Sequence, residues 1–192
     1  YNVNRKEIDF LAAKDGKEIV FDYDVYAFNR EAKAVLSEGA SRLTAPIELS
    51  GTELSVLNLR DMVMPVYGRM PLMTTVNCQY KLAGKCRKET KDGAGSAPII
   101  LKDRMNKEMP HLAHCAYCFS TIHNSDTYTL AGKLTEVQAL RPFAVRLDFY
   151  LEGREETERA VKAFEDEWFY GKLPGKDFLF RKTAGAFTRG TE

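Results

Sequence analysis

Apolar positions along this chain switch between strand-like and helix-like spacing in a repeating order. Residues 4–14 (NRKEIDFLAAK) place Ile8, Leu11 and Ala12 at helical spacing, and the pattern stops near Gly16. The stretch 18–29 (EIVFDYDVYAFN) gathers Val20, Tyr23, Val25 and Tyr26 into a β-branched and aromatic run that predicts a strand. Asn29 then predicts the N-cap of a short amphipathic helix, REAKAVLSEG, ended by Gly39. A second unit repeats the order. Residues 41–49 (SRLTAPIEL) predict a strand, and Ser50 caps TELSVLNLR with Glu53 at the capping-box position.

The third unit opens with DMVMPVYG (61–68), an apolar run ended by Gly68. A segment rich in cysteine then takes the place of the next helix. Within it, Lys88 to Pro98 reads as a flexible loop, and short strands are predicted at 99–101 and around 119–123. Residues 132–140 predict a helix. The fourth unit pairs an alternating strand, RPFAVRLDFYLEG (141–153), with an amphipathic helix stopped by Gly171. That helix carries Ala160, Val161, Phe164 and Trp168 on one face. The last residues, FLFRKTAGAFTRGTE, predict a closing strand or loop.

Four strand–helix units predict an α/β protein with parallel strands. Four is half the count of a (β/α)8 barrel, which typically takes about 250 residues. A small open parallel sheet has the same periodicity. The chain opens on Tyr1-Asn2-Val3 without methionine, so it is expected to be an internal piece of something longer. The expectation is the C-terminal half of a TIM-like barrel: 1–192 as a single domain, with the Cys-rich insertion at about 70–128. No G-x-G-x-x-G or P-loop is present, so the fingerprint of a nucleotide-binding doubly wound fold is missing.

Composition narrows the partners. The 28 Lys and Arg stand against 27 Asp and Glu, a net charge of +1, which offers no overall footprint for nucleic acid. Lys81, Lys85, Arg87, Lys88 and Lys91 make a local basic patch that reads as a solvated loop. No run of eighteen apolar residues exists, so no membrane-spanning helix is expected. Without an apolar signal region, the expected location is cytoplasmic.

The four cysteines carry the candidate chemistry. Cys78 and Cys86 are separated by seven residues, Cys115 and Cys118 by two, and 28 lie between the pairs. Four thiolates satisfy either a tetrahedral zinc or a four-iron cluster. Zinc knuckles use two tight pairs, and only Cys115 and Cys118 are tight here. A plainer reading leaves that pair metal-free and the other two as small buried hydrophobes. His111, His114 and His123 flank the tight pair as further ligands, bases or surface groups. Neither HExxH nor G-x-S-x-G occurs. At the C-terminal ends of the predicted strands stand Asn29, Glu48, Tyr67, Arg69 and Glu152, where barrel enzymes place reactive groups. Glu48 fits either that role or the start of the next helix, where negative charge is favoured. Asp103 and Arg104 fit either a local ion pair or an anion site.

The run YGRMPLMTTVNC, followed by LKDRMNKEMP, CAYC and IHNS, resembles the collagenase-like peptidases of family U32. The resemblance extends upstream through YDVYAFNREAKAVLSEGASRLTAPIELSGTEL and downstream through LDFYLEGREETERAV to the TAGAFTRGTE ending. It implies the C-terminal half of that family's barrel, whose missing N-terminal half is a partner. Several members of the family are linked to hydroxylation of RNA bases or of a quinone precursor, and some hold a four-iron four-sulfur cluster through four cysteines. By resemblance, Cys78, Cys86, Cys115 and Cys118 are the ligands, zinc being the alternative. Two function classes follow: an iron–sulfur enzyme of RNA-base or related hydroxylation, and a proteolytic enzyme (a hydrolase) with a structural zinc or metal-free cysteine site. The corresponding substrates are RNA and peptide. Glu48, Arg69, Asp103 and Arg104 are the candidate catalytic groups. Exposed strand edges of a half-barrel lead to an expected homodimer.

Overall fold

The computed structural model describes residues 16, 18–82, 84, 86, 98–115, 117–179 and 182–189. The helix expected over 4–14 and residues 88–97 of the expected loop lie outside them. The described chain is mixed α/β. Strands β1 (Val20–Phe21), β2 (Arg42–Thr44) and β3 (Met62–Gly68) run parallel, joined through α1 (Arg30–Ser37) and α2 (Gly51–Leu57). Both helices start where the sequence predicts. The Asn29 side chain accepts from Ala32 N at 2.8 Å, and Ser50 and Glu53 form a reciprocal capping box.

After β3 the chain forms a separate four-stranded antiparallel sheet made of β4 (Pro71–Thr75), β5 (Ile99–Lys102), β6 (Glu108–His114) and β7 (Phe119–His123). Its order is β4-β7-β6-β5, and α3 (Gln79–Leu82) follows β4. The insertion expected at about 70–128 is therefore a second sheet. β6 escapes a sequence reading because Pro110, which cannot donate to a ladder, sits within it.

The chain returns through β8 (Thr127–Thr129), α4 (Leu134–Ala139), β9 (Ala144–Leu147), α5 (Arg154–Tyr170), α6 (Lys176–Leu179) and β10 (Lys182–Thr183). β9 is parallel to β3 along Val63–Tyr67. β2 pairs with Met62–Val63 and β8 with Tyr67–Gly68, so those two share the opposite edge of β3 in succession. β8 is antiparallel to β3, and β10 is parallel to β8, so the all-parallel expectation fails at that edge.

Three predicted strands are shorter than expected. In 18–29 only Val20–Phe21 pairs. Asp22 accepts from Tyr23 N at 2.8 Å and starts a 3-10 turn over Tyr23–Val25, and Tyr26 takes a left-handed φ of 56°. β2 ends at Thr44, just before Pro46. β9 ends at Leu147, and a few residues on the Glu152 carboxylate holds the N–H groups of Tyr150 and Leu151 at 2.9 and 3.0 Å.

The core lies on the helix side of the main sheet, around Leu43, Met62, Met64, Val66, Tyr67, Leu134, Val137 and Phe164. On α5, Ala160 and Phe164 are buried as the pattern predicts, and Trp168 packs half-buried against the core. Gly171 ends this helix with φ 65°, a conformation that favours glycine. The register puts Val20, Arg42, Thr44, Val63, Pro65, Ala144 and Arg146 on the other face, where Thr44 and Pro65 are buried and the Tyr23 ring lies against Arg146. Among the described residues, no helix is long and apolar enough to cross a membrane.

Candidate functional site

The cysteines reach one place from two loops. Cys78 follows β4, where Asn77 N donates to Thr75 Oγ1 at 3.1 Å, and its own carbonyl accepts from Leu82 N at 3.1 Å to close α3. Cys115 and Cys118 lie in the β6–β7 turn. There Tyr117 N donates to the His114 carbonyl at 3.0 Å, and Cys118 takes a left-handed φ of 55°. Together with Cys86, all four cysteines line one cavity of about 90 Å³. Val76, Ala113 and Phe119 form its apolar wall, and Lys81 is its one charged lining residue among those described. The four are thiols, not disulfides.

Among the described residues, no three His, Cys, Asp or Glu side chains already form a set that could hold one metal ion. Lining a common cavity is a weaker condition than closing on an ion. In donor chemistry the cavity fits both tetrahedral zinc and a four-iron cluster, since thiolate sulfur is the preferred ligand of each.

The histidines do not ring the cysteine pair. His114 adjoins it, stacked on Phe119 at 4.4 Å and 3.2 Å from Thr121 Oγ1. His111 points to the opposite face of β6, is 1% exposed, and has no partner for either ring nitrogen. His123 is 3% exposed, with its ring 5.1 Å from that of Tyr150. Burial holds both His111 and His123 below the ordinary imidazole value, with the charges of His114 and Arg69 adding to the effect at His123.

A second polar group stands at the C-terminal ends of the parallel strands. Arg146 bridges two carboxylates there, Asp22 at 2.9 Å and Asp148 at 3.0 Å. Burial raises the Asp148 carboxyl and outweighs the opposing pull of Arg146. For Arg146, burial works against the charge, but Asp148 and Asp22 outweigh it and raise the guanidinium further. Tyr23 and Tyr150 border this trio, and burial raises both phenols. Gly68 makes the arrangement possible. Its φ is +150°, and a Cβ there would lie 2.9 Å from Asp148 Cβ. These residues were missed by sequence reasoning, although Arg146 and Asp148, two apart in an apolar strand, carry the period-2 signal of one face.

The sequence candidates fall in different places. Arg69 donates through Nη1 to the carbonyls of Asn124 and Ser125 at 3.1 and 2.8 Å, tying the exit of β3 to the end of the insertion. Its Nε is buried without a partner, as is one carboxylate oxygen of Glu48. Tyr67 donates to Glu152 at 3.4 Å, and burial followed by that carboxylate raises its phenol. Asn29 serves as a helix cap. Asp103 sits in the β5–β6 turn, where it accepts from Met105 N at 2.7 Å and Lys107 N at 2.9 Å, with Arg104 exposed beside it. Lys85, Arg87, Lys88 and Lys91 of the basic patch lie outside the described residues, whereas Lys81 borders the cysteine cavity.

No family model, curated protein or solved structure matches this chain.

Proposed function

We propose that this chain is the cysteine-bearing part of an iron–sulfur enzyme of the U32 kind, acting in RNA-base or related hydroxylation. The observation that carries this reading is the single cavity lined by Cys78, Cys86, Cys115 and Cys118. These four residues would hold a four-iron four-sulfur cluster, which when bound supplies one-electron transfer. The half-barrel is part of the same proposal. It is supported by the parallel order of β1, β2, β3 and β9.

The chain's own polar residues stand where α/β enzymes hold substrates, outside the carboxyl ends of parallel strands. Arg146, fixed between Asp22 and Asp148, presents an oriented charge on that face. Arg69 fastens the insertion to the same end of the sheet, so the cysteine cavity and the strand ends keep a defined relation.

Anaerobic purification followed by iron, sulfide and zinc analysis tests the reading. Near-stoichiometric iron and sulfide, absorbance near 400 nm, and their loss on replacing all four cysteines by serine are expected. Zinc without iron defeats the cluster. Proteolysis that survives the four serine replacements favours the peptidase alternative and detaches the cysteines from catalysis. Self-association through the strand edges of the half-barrel is also expected, and a monodisperse monomer at high concentration in light scattering counts against it.

A further inference from the structure

We propose that Lys81 is the charge-compensating residue of the cysteine-held centre and sets its reduction potential, an inference that rests on the iron–sulfur reading above. Lys81 shares the cavity wall with all four cysteines. Its position follows from α3. The Leu82 N to Cys78 carbonyl hydrogen bond closes one helical turn, which puts residues 78 and 81 on one side of it. The rest of the described wall is apolar, formed by Val76, Ala113 and Phe119. Lys81 itself is exposed, so water screens part of its charge and the shift expected from it is a modest one.

Lys33, Lys102, Lys107, Lys133 and Lys172 each pair with a carboxylate. Among the described residues no carboxylate pairs with Lys81. Four thiolates bring four negative charges to the site. A resident cluster offsets only part of them, and the deficit grows by one when it accepts an electron. A fixed positive charge therefore stabilises the reduced form more than the oxidised form and raises the potential. Lys81 is a positioning residue in this role. Its ammonium acts on the centre's charge without taking part in bond making.

The test compares wild-type protein with Lys81→Gln and Lys81→Arg, all purified anaerobically, by iron and sulfide content and by dye-mediated redox titration. Lys81→Arg is expected to keep the wild-type content and potential, and Lys81→Gln to keep its cluster at a lower potential. Loss of the cluster in Lys81→Gln with retention in Lys81→Arg also supports charge compensation. A loaded Lys81→Gln protein with the wild-type potential overturns the inference alone, as does equal cluster loss in both variants, which points to packing. Zinc alone, or no metal, in the wild-type protein overturns the iron–sulfur reading and this inference together.

Discussion

Replacing Glu167 by Ala removes a buried cap that one helix supplies to another. Glu167 lies on α5, 5% exposed, and its two oxygens accept from Gly132 N at 2.6 Å and Leu134 N at 2.8 Å. Those N–H groups open α4, whose own N-cap residue, Lys133, makes no side-chain capping bond. The Leu134 N–H is buried, so losing its charged acceptor costs roughly 1.5–3 kcal/mol. Gly132 is exposed and its N–H can turn to water, which limits that loss to about 1 kcal/mol. Relief of the buried carboxylate's desolvation offsets part of the sum, leaving about 2–4 kcal/mol for Glu167→Ala. Glu167→Gln keeps one acceptor and is expected to lose about half as much. Urea unfolding followed by circular dichroism measures both, with exposed Glu165→Ala as a control expected within about 0.5 kcal/mol of wild type. A Glu167→Ala protein as stable as that control refutes the assignment of Glu167 as the cap of α4.

Other outcomes follow from the same physics. His111 and His123 titrate below 6.5 when folded and near it when unfolded, so the unfolded chain binds more protons as pH falls from about 7. Stability is expected to drop over that window, and a His123→Asn protein with an undiminished slope in pH-dependent urea unfolding would count against a neutral buried His123. Gly68→Ala is expected to cost about 1–3 kcal/mol in the same assay, from its positive φ and the collision with Asp148; a neutral effect would contradict the close approach. Burial beside the Tyr67 and Phe178 rings pulls the Lys182 ammonium down to about 8. After reductive methylation with labelled formaldehyde its signal should titrate there, and a midpoint near 10, as for exposed lysines, would refute it.

Local signals were legible wherever a residue acts on its near neighbours. Asn29, Ser50 with Glu53, and Gly171 bound their helices as the sequence predicts, because capping joins groups within a few positions. The apolar run 62–68 announces the central strand, and the grouping of four cysteines within 41 residues announces the candidate site. Strand lengths were less legible. The pattern 18–29 has strand composition, but the Asp22 carboxylate turns the backbone after two paired residues.

Pairing across the chain was settled only in three dimensions. Alternation tells which side chains share a face, not which strand lies alongside, so the antiparallel β8 on the edge of β3 leaves no mark in the sequence. The Arg146–Asp22 pair joins residues 124 positions apart, and the Glu167 cap joins residues 33 and 35 apart. The meeting of the cysteine pairs has the same origin. Their spacing determined that two loops carry thiols, and the antiparallel sheet between β4 and β7 decided that both loops open on one cavity.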